Sequence, residues 1–393
     1  MWTNIPNTFV MREIRSNRRY TFLTVIILGC IIITFFFSYA AFGQQGRPET
    51  LISLHVLFRH GDRTPTFSYP TDPYINRSWP DGAGALTNKG KSQMYQLGKL
   101  IRSLYSDFLP DIYSSKELVV KSSYAARCQM SAATLLAGLY PPRGFQIWNE
   151  DLLWQPIPVN PIPRDKDNLI AARAPCFAFT EEKKKSDEEL ANELTPEQKK
   201  MFEYLSENSG MKIADISTAE SLYYTLNIEK DSGLVLPSWT DKVYPEPLRT
   251  VAILTLLSYS RTLPLKRLQS GPLLGEWLSH LESDKEGGPT LMYLYSGHDL
   301  TIINAMRSLG LMNSSPWIPD YGAALLLELN KQVNPNEKPY YTIKLLYLNS
   351  STSEKPNVLK LPNCDLHCPL ESFKQLVEPI IPKDWHEECD YQP

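Results

Sequence analysis

The sequence is poor in cysteine, has no excess of basic charge and contains a single long apolar run. Six cysteines among 393 residues are too few for a disulfide-built scaffold, though enough for a few bridges in an exported protein. A net charge of -3 argues against nucleic-acid binding, which calls for a basic patch and a high pI. No Asp, Glu or His cluster has metal-ligand spacing outside the tail Cys364-x-x-His367-Cys368, so neither a metal nor a cofactor is expected. After residue 46 there is no second apolar span, and the chain runs out through the polar Glu387, Glu388, Cys389, Asp390 and Tyr391. What is present fits one large globular domain or two unequal ones: 42% hydrophobic and 21% charged residues, with 31 prolines that imply many fixed turns.

The one apolar run is N-terminal. Arg12, Arg15, Arg18 and Arg19 precede residues 20–46, which carry no charge. About 20 apolar residues cross a bilayer, and arginines before them stay cytoplasmic. Residues 1–46 therefore read as a transmembrane signal-anchor, or as a signal peptide starting at Met11 with Ser38 and Ala40 before the cut. The run is long for a signal peptide, which favours the anchor. Either way residues 47–393 are expected to be extracellular or lumenal. Sequons at Asn76, Asn313 and Asn349 fit that side of the membrane, although Pro316 weakens the second.

The chemistry concentrates in two stretches. Residues 51–58 are a nearly continuous apolar run, the pattern of a parallel strand buried on both faces. Arg59, His60, Gly61, Asp62, Arg63, Thr64 and Pro65 follow at once. Ligands of open α/β sheets bind beyond the carboxyl ends of strands, and guanidinium forks match phosphate oxygens. The stretch reads as an oxyanion site holding a nucleophile or base; a lone Arg-His-Gly would instead be a turn of solvated arginines. The second stretch is a strand at residues 291–295, then Ser296-Gly297-His298-Asp299, then a helix from Leu300. His298 and Asp299 thus stand at a helix N-terminus, where N–H groups favour anions. Taken alone, Asp299 could be no more than the cap.

The remaining segments read as scaffold. Thr87 is a candidate N-cap for a helix with Met94, Leu97, Ile101 and Leu104 on one face. A strand is predicted at 118–122 and a helix at 130–139. The Glu- and Lys-dense run 181–200, with Leu190, Leu194, Met201, Phe202 and Leu205, reads as solvated helices. Two core helices are expected at 249–263 and 272–281, with His280 structural. Residues 323–328 and 340–348 read as an antiparallel hairpin at the sheet edge.

Taken whole, the run Arg59–Pro65 resembles the signature of the histidine acid phosphatases, a branch of the phosphoglycerate-mutase-like superfamily. The resemblance extends to Leu86-Thr87-x-x-Gly90-x-x-Gln93-x-x-x-Leu97-Gly98, to Arg127 with Met130-Ser131-Ala132 and Tyr140-Pro141-Pro142, and to the tail 364–371. It includes the His298-Asp299 pair, where the inositol polyphosphate phosphatases carry His-Ala-Glu. It departs from the family at Ala85, at Lys121-Ser122-Ser123 for Arg-Ser-Thr, and at Ala126-Arg127-Cys128 for Asp-Arg-Thr.

The resemblance implies an α/β fold: a central mixed, mostly parallel sheet flanked by helices, with a smaller helical cap inserted at about residues 143–243. It implies acid hydrolysis of phosphate monoesters through a phosphohistidine, with His60 as nucleophile and Asp299 as proton donor. Arg59, Arg63, Arg127 and His298 would bind the phosphate. It also implies the disulfides Cys176–Cys389 and Cys364–Cys368, and the export context favours the latter over a zinc site with His367. Cys30 falls in the leader, Cys128 has no evident partner and is expected to line or border the pocket, and homodimers are common in the family. The arginines should depress the His60 pKa and keep it neutral in acid, while Asp299 must carry a proton when the leaving group departs. A mutase on the same core and a non-catalytic exported phospho-ligand binder are the alternatives. The leader and sequons count against the mutase. The motifs do not specify the leaving group.

Overall fold

Strand β1 (Glu49–Arg59) is buried without a break from residue 53 to 59, and the burial continues into His60. A strand alternates its side chains, so unbroken burial needs cover on both faces. Leu54, Val56 and Phe58 enter one core and Leu57 enters the other.

The computed structural model describes residues 49–312, 317–333 and 338–390; the leader, Asn313 and Tyr391 lie outside them. Nearly all the described residues belong to one compact unit, Thr50–Lys331 with Pro339–Pro393. The sheet order is β3 (Asn160–Ile162), β2 (Leu118–Ser123), β4 (Met292–Gly297), β1, β5 (Ala324–Gln332), β6 (Tyr340–Leu348) and β7 (Asn357–Leu359), and β8 (Cys368–Pro369) also pairs with β6. β1, β2, β3 and β4 pair in parallel, whereas β7 and β8 run antiparallel to β6. The sheet is mixed, as expected. The expected edge hairpin is not at the edge: β5 lies between β1 and β6, and β7 covers β6.

Helices α1 (Asn88–Leu104) and α2 (Ala126–Leu139) cover one face through Met94, Leu97, Ile101, Leu135 and Leu139. Their backbones touch, because a Cβ on Gly98 would lie 2.0 Å from the Leu135 carbonyl oxygen. Next come α3 (Phe177–Glu193), α4 (Pro196–Ser209), α5 (Ile216–Asp231) and α6 (Leu248–Ser258), with their own core that includes Leu205, Leu222, Leu226 and Val251. A Thr195/Gln198 capping box and Pro196 start α4, splitting the charged run 181–200 into two helices. The helix expected at 249–263 also divides, because Thr262 caps a new helix, α7 (Leu263–Gln269), with Pro264 in its first turn. The second face is covered by α8 (Gly271–Asp284), α9 (Asp299–Ser308) and α10 (Leu370–Val377), through Trp277, Ile302, Met306 and Phe373. The Cys176–Cys389 disulfide ties the start of α3 to α11 (Trp385–Asp390), and Cys364 is bonded to Cys368. No helix among the described residues is long and apolar enough to cross a membrane.

One polar group beneath β1 is costly. His55 is fully buried, and neither ring nitrogen has a hydrogen-bond partner among the described residues. Its ring stacks on Tyr293 at 4.5 Å, and His280 stacks on the same ring at 4.1 Å. Burial, with a smaller push from His280, holds the His55 pKa well below its ordinary value. Below about pH 6.5 the unfolded chain takes up a proton that the folded chain refuses, so stability falls as pH drops through that value. His55→Phe keeps the ring stack and removes the titration. In urea melts between pH 7 and 5 the variant should lose less stability than the wild type; equal losses would contradict this account.

Candidate active site

The parallel ends of β1, β2 and β4 bring the chemical residues together. Arg59 pairs with Gly297 and Ser122 with Ser296, so Arg59, Ser123 and His298 leave the sheet side by side. The ladder continues one step, with His60 N–H donating to the Gly297 carbonyl at 3.1 Å and Arg59 N–H to the Ala323 carbonyl at 2.9 Å. The chain then turns against the start of α1. A Cβ on Gly61 would lie 2.5 Å from the Gly90 carbonyl oxygen, and one on Gly90 would lie 2.3 Å from the Asp62 carbonyl oxygen. Only glycine at both positions permits that approach.

The non-catalytic members of the motif hold this turn. Thr87 Oγ1 donates to the Asp62 carboxylate at 2.6 Å while accepting from Gly90 N–H at 3.0 Å. Thr64 Oγ1 donates to the Gly82 carbonyl at 2.7 Å and accepts from Ala85 N–H at 3.0 Å. Asp62 N–H donates to Gln93 Oε1 at 2.8 Å.

Two contacts fix the His60 tautomer. Nδ1 lies 2.8 Å from the Gly61 carbonyl oxygen, which can only accept, so Nδ1 carries the proton. Arg127 Nε, from the first turn of α2, donates to Nε2 at 3.0 Å. Nε2 therefore offers a lone pair among cations. Burial, then Arg127, His298, Arg59 and Arg63 drive the His60 pKa well below its ordinary value. The ring stays neutral in acid, as nucleophilic attack requires.

His298, at the N-cap of α9, is half-buried. Burial first, then Arg127, Arg173 and Arg59 lower its pKa, against opposition from Asp299. Its Nε2 is hydrogen-bonded to Ser123 Oγ at 2.9 Å. Cys128 is fully buried against this ring, with Sγ 3.7 Å from Nε2. The thiol backs the site without lining the cavity, and burial pushes its pKa up to about 11.

Arg59 is anchored on three sides. Its Nη2 meets Asp299 Oδ2 at 2.9 Å, its Nη1 donates to the Pro319 carbonyl, and its guanidinium lies 4.2 Å from the centre of the Tyr321 ring. Asp299 Oδ2 also accepts from Tyr224 OH at 2.7 Å, and Oδ1 accepts from Leu300 N–H at 2.8 Å. Burial pushes the Asp299 pKa up, but Arg59, Tyr224, His298 and the Leu300 N–H together outweigh it and hold the pKa below the ordinary value. Asp299 is thus a carboxylate in the free site.

His60, Arg59, Arg63, Arg127, His298 and Asp299 all line one cavity of about 560 Å³. That is the size of a site for a small organic ligand, far more room than one phosphate needs. Three arginines around a neutral, unprotonated imidazole nitrogen, with a carboxylate in the same cavity, can hold a phosphoryl group and transfer it. No group of three or more potential metal ligands exists among the described residues. Sequence reasoning missed Tyr224, Tyr321, Ser123 and Glu220. Tyr224 and Glu220 sit one turn apart on α5, in a stretch assigned only to the cap at about residues 143–243. No local pattern marks any of the four.

Comparison with known proteins finds a family and several relatives. The model of the histidine phosphatase superfamily (branch 2) matches residues 50–348. Prostatic acid phosphatase of Homo sapiens is 35% identical over 370 residues, covering 92% of this chain and 92% of its own length. Lysosomal acid phosphatase of Rattus norvegicus is 34% identical over 360 residues, covering 88% of this chain and 81% of its own. Among solved structures, the phytase of Citrobacter braakii superposes with a TM-score of 0.65 at 18% identity, over 87% of this chain and 100% of that one. This last likeness is one of fold.

Proposed function

We infer from its membership of the histidine phosphatase superfamily (branch 2), to which the chain belongs, that the site described above hydrolyses phosphate monoesters with His60 as nucleophile. The chain is an enzyme, an acid phosphatase like its relatives, and the non-catalytic alternative is set aside. The observation that carries the assignment of roles is the His60 tautomer: Nδ1 is committed to the Gly61 carbonyl, and the Nε2 lone pair faces the cationic cavity.

Arg59, Arg63, Arg127 and His298 hold the non-bridging oxygens and the charge that develops on them. Arg127 exchanges its contact with Nε2 for a phosphate oxygen as the substrate enters. Nε2 attacks phosphorus, the N–P bond forms, and the P–O bond breaks with its electron pair on the leaving oxygen. Asp299 delivers a proton to that oxygen. Since Asp299 is ionised in the free site, the proton enters with the substrate: a phosphate monoester is a monoanion below its second pKa of about 6. Water then attacks the phosphohistidine, Asp299 takes its proton, and inorganic phosphate leaves. No step needs a metal. The helices α3–α6 serve as the cap and wall the entrance with Tyr224 and Glu220.

This mechanism sets the pH dependence. His60 is neutral well into acid, so activity should be high below about pH 6 and fall above it as the substrate loses its proton. Phosphate release from an aryl phosphate, with chelator present, checks it. His60→Ala should lose roughly a thousand-fold or more. Asp299→Asn should slow an alkyl phosphate by about a hundred-fold or more, and an aryl phosphate, whose leaving group needs no proton, far less. Full activity in His60→Ala, or loss of activity in chelator, would overturn the assignment.

The enzyme acts outside the cytoplasm, in an extracellular or lumenal space, as its prostatic and lysosomal relatives suggest. Residues 1–46 supply the export signal or membrane anchor, and the exposed Asn76 and Asn349 accept glycans. The protein is a homodimer. Support comes from an apolar surface segment leading into the edge strand β3: Phe145 is 85% exposed, Leu153 66% and Trp148 58%. Light scattering on protein secreted by animal cells, before and after glycosidase treatment, reads both features. The mass should be near twice that of the chain and should drop on treatment; a monomer, or no drop, would contradict the respective claim.

A further inference from the structure

The catalytic groups occupy only part of the cavity. It is also lined by the segment 164–173, which contributes Arg164, Asp167 and Arg173. This segment is a rigid turn. The Asp167 side chain is fully buried, and its carboxylate accepts from the N–H groups of Leu169 at 3.1 Å, Ile170 at 2.7 Å and Ala171 at 3.0 Å. The Asp167 carbonyl accepts from Arg173 N–H at 2.6 Å. The Ile170 carbonyl accepts from Thr301 Oγ1 at 2.7 Å, which clamps the turn to the first turn of α9, beside Asp299.

The turn presents two guanidiniums to the cavity, while the Asp167 carboxylate is engaged by its own backbone. Among the described residues neither the Arg164 nor the Arg173 guanidinium has an ion pair or a hydrogen bond. Arg173 lies close enough to His298 and to Glu220 to act on both. Glu220 is the carboxyl that could offset it. Burial, then the charge of Asp299, pushes the Glu220 pKa up to about 8, against Arg173, Lys183 and Arg63. At working pH Glu220 is a neutral acid, and the wall keeps its positive charge.

We propose that Arg164 and Arg173 form a second anion subsite on the cavity wall beside the phosphohistidine centre, selecting phosphate monoesters whose leaving group bears a second anionic group. The proposal rests on the phosphatase reading. A guanidinium fork is a strong and geometrically selective partner for phosphate or carboxylate, and a fixed backbone presents it without an ordering cost. The leaving group has room to extend from the cradle to the turn.

The test compares butane-1,4-diol bisphosphate with the monophosphate, by initial rates of phosphate release at pH 5. After allowance for its two reactive ends, the bisphosphate should show a kcat/KM about ten-fold higher in the wild-type enzyme, as expected for one or two charge-assisted hydrogen bonds. The double variant Arg164→Gln/Arg173→Gln should bring the ratio close to one. An equal ratio in the two proteins, or no preference in the wild type, overturns the proposal. With the wild type alone, the preference should shrink as salt is raised; a salt-independent preference also overturns it. If the wild-type enzyme hydrolyses neither ester, the phosphatase reading itself fails, and the subsite proposal fails with it.

Discussion

The Arg59–Asp299 pair, 2.9 Å long with Arg59 buried and Asp299 partly so, is the contact on which the site depends. It joins the last residue of β1 to the first residue of α9, across the parallel pairing of β1 with β4. Desolvating two charges costs more than one ion pair returns, so such a pair is weak as a source of stability. Further bonds hold it in place, from Tyr224 OH and Leu300 N–H to the acid and from the guanidinium to the Pro319 carbonyl, although Arg59 Nε has no partner among the described residues. Its consequence is electrostatic. It fixes a cation beside His60 and keeps Asp299 ionised until a substrate brings a proton.

The same burial creates a tension between chemistry and stability. His55, His60 and His298 are all held neutral below their ordinary pKa. Each withholds a proton that the unfolded chain would take in acid, so each reduces stability where an acid phosphatase works. In the proposed mechanism His60 and His298 serve the reaction, and His55 does not enter it. Two large cores on the sheet faces and the Cys176–Cys389 crosslink, which closes a loop of more than 200 residues, act against that loss.

Much of the fold was legible in the sequence. The nearly continuous apolar run of β1 gave away a strand covered on both faces, and the clustered charge after it marked the site. Thr87 was legible as a cap because capping is local. The hairpin was misplaced because strand order depends on which faces meet, and β7, only three residues long, carries almost no pattern. Tyr224, Glu220 and the Asp167 turn were invisible for a related reason. Each sits in a segment whose local pattern is ordinary, and acquires its role only when tertiary packing carries it to the cavity. The charge state of Asp299 was half legible: the need for a proton follows from the chemistry, but its source depends on four neighbours from two distant segments and its own helix.

The central claim is that His60 Nε2 becomes covalently phosphorylated. The most direct measurement is a rapid acid-free quench of the enzyme with a radiolabelled aryl phosphate, followed by peptide mapping. The account predicts an acid-labile, alkali-stable label that reaches a fraction of the enzyme within one turnover and maps to His60. Turnover with no labelled protein at any time, or a label on a residue other than His60, would contradict it.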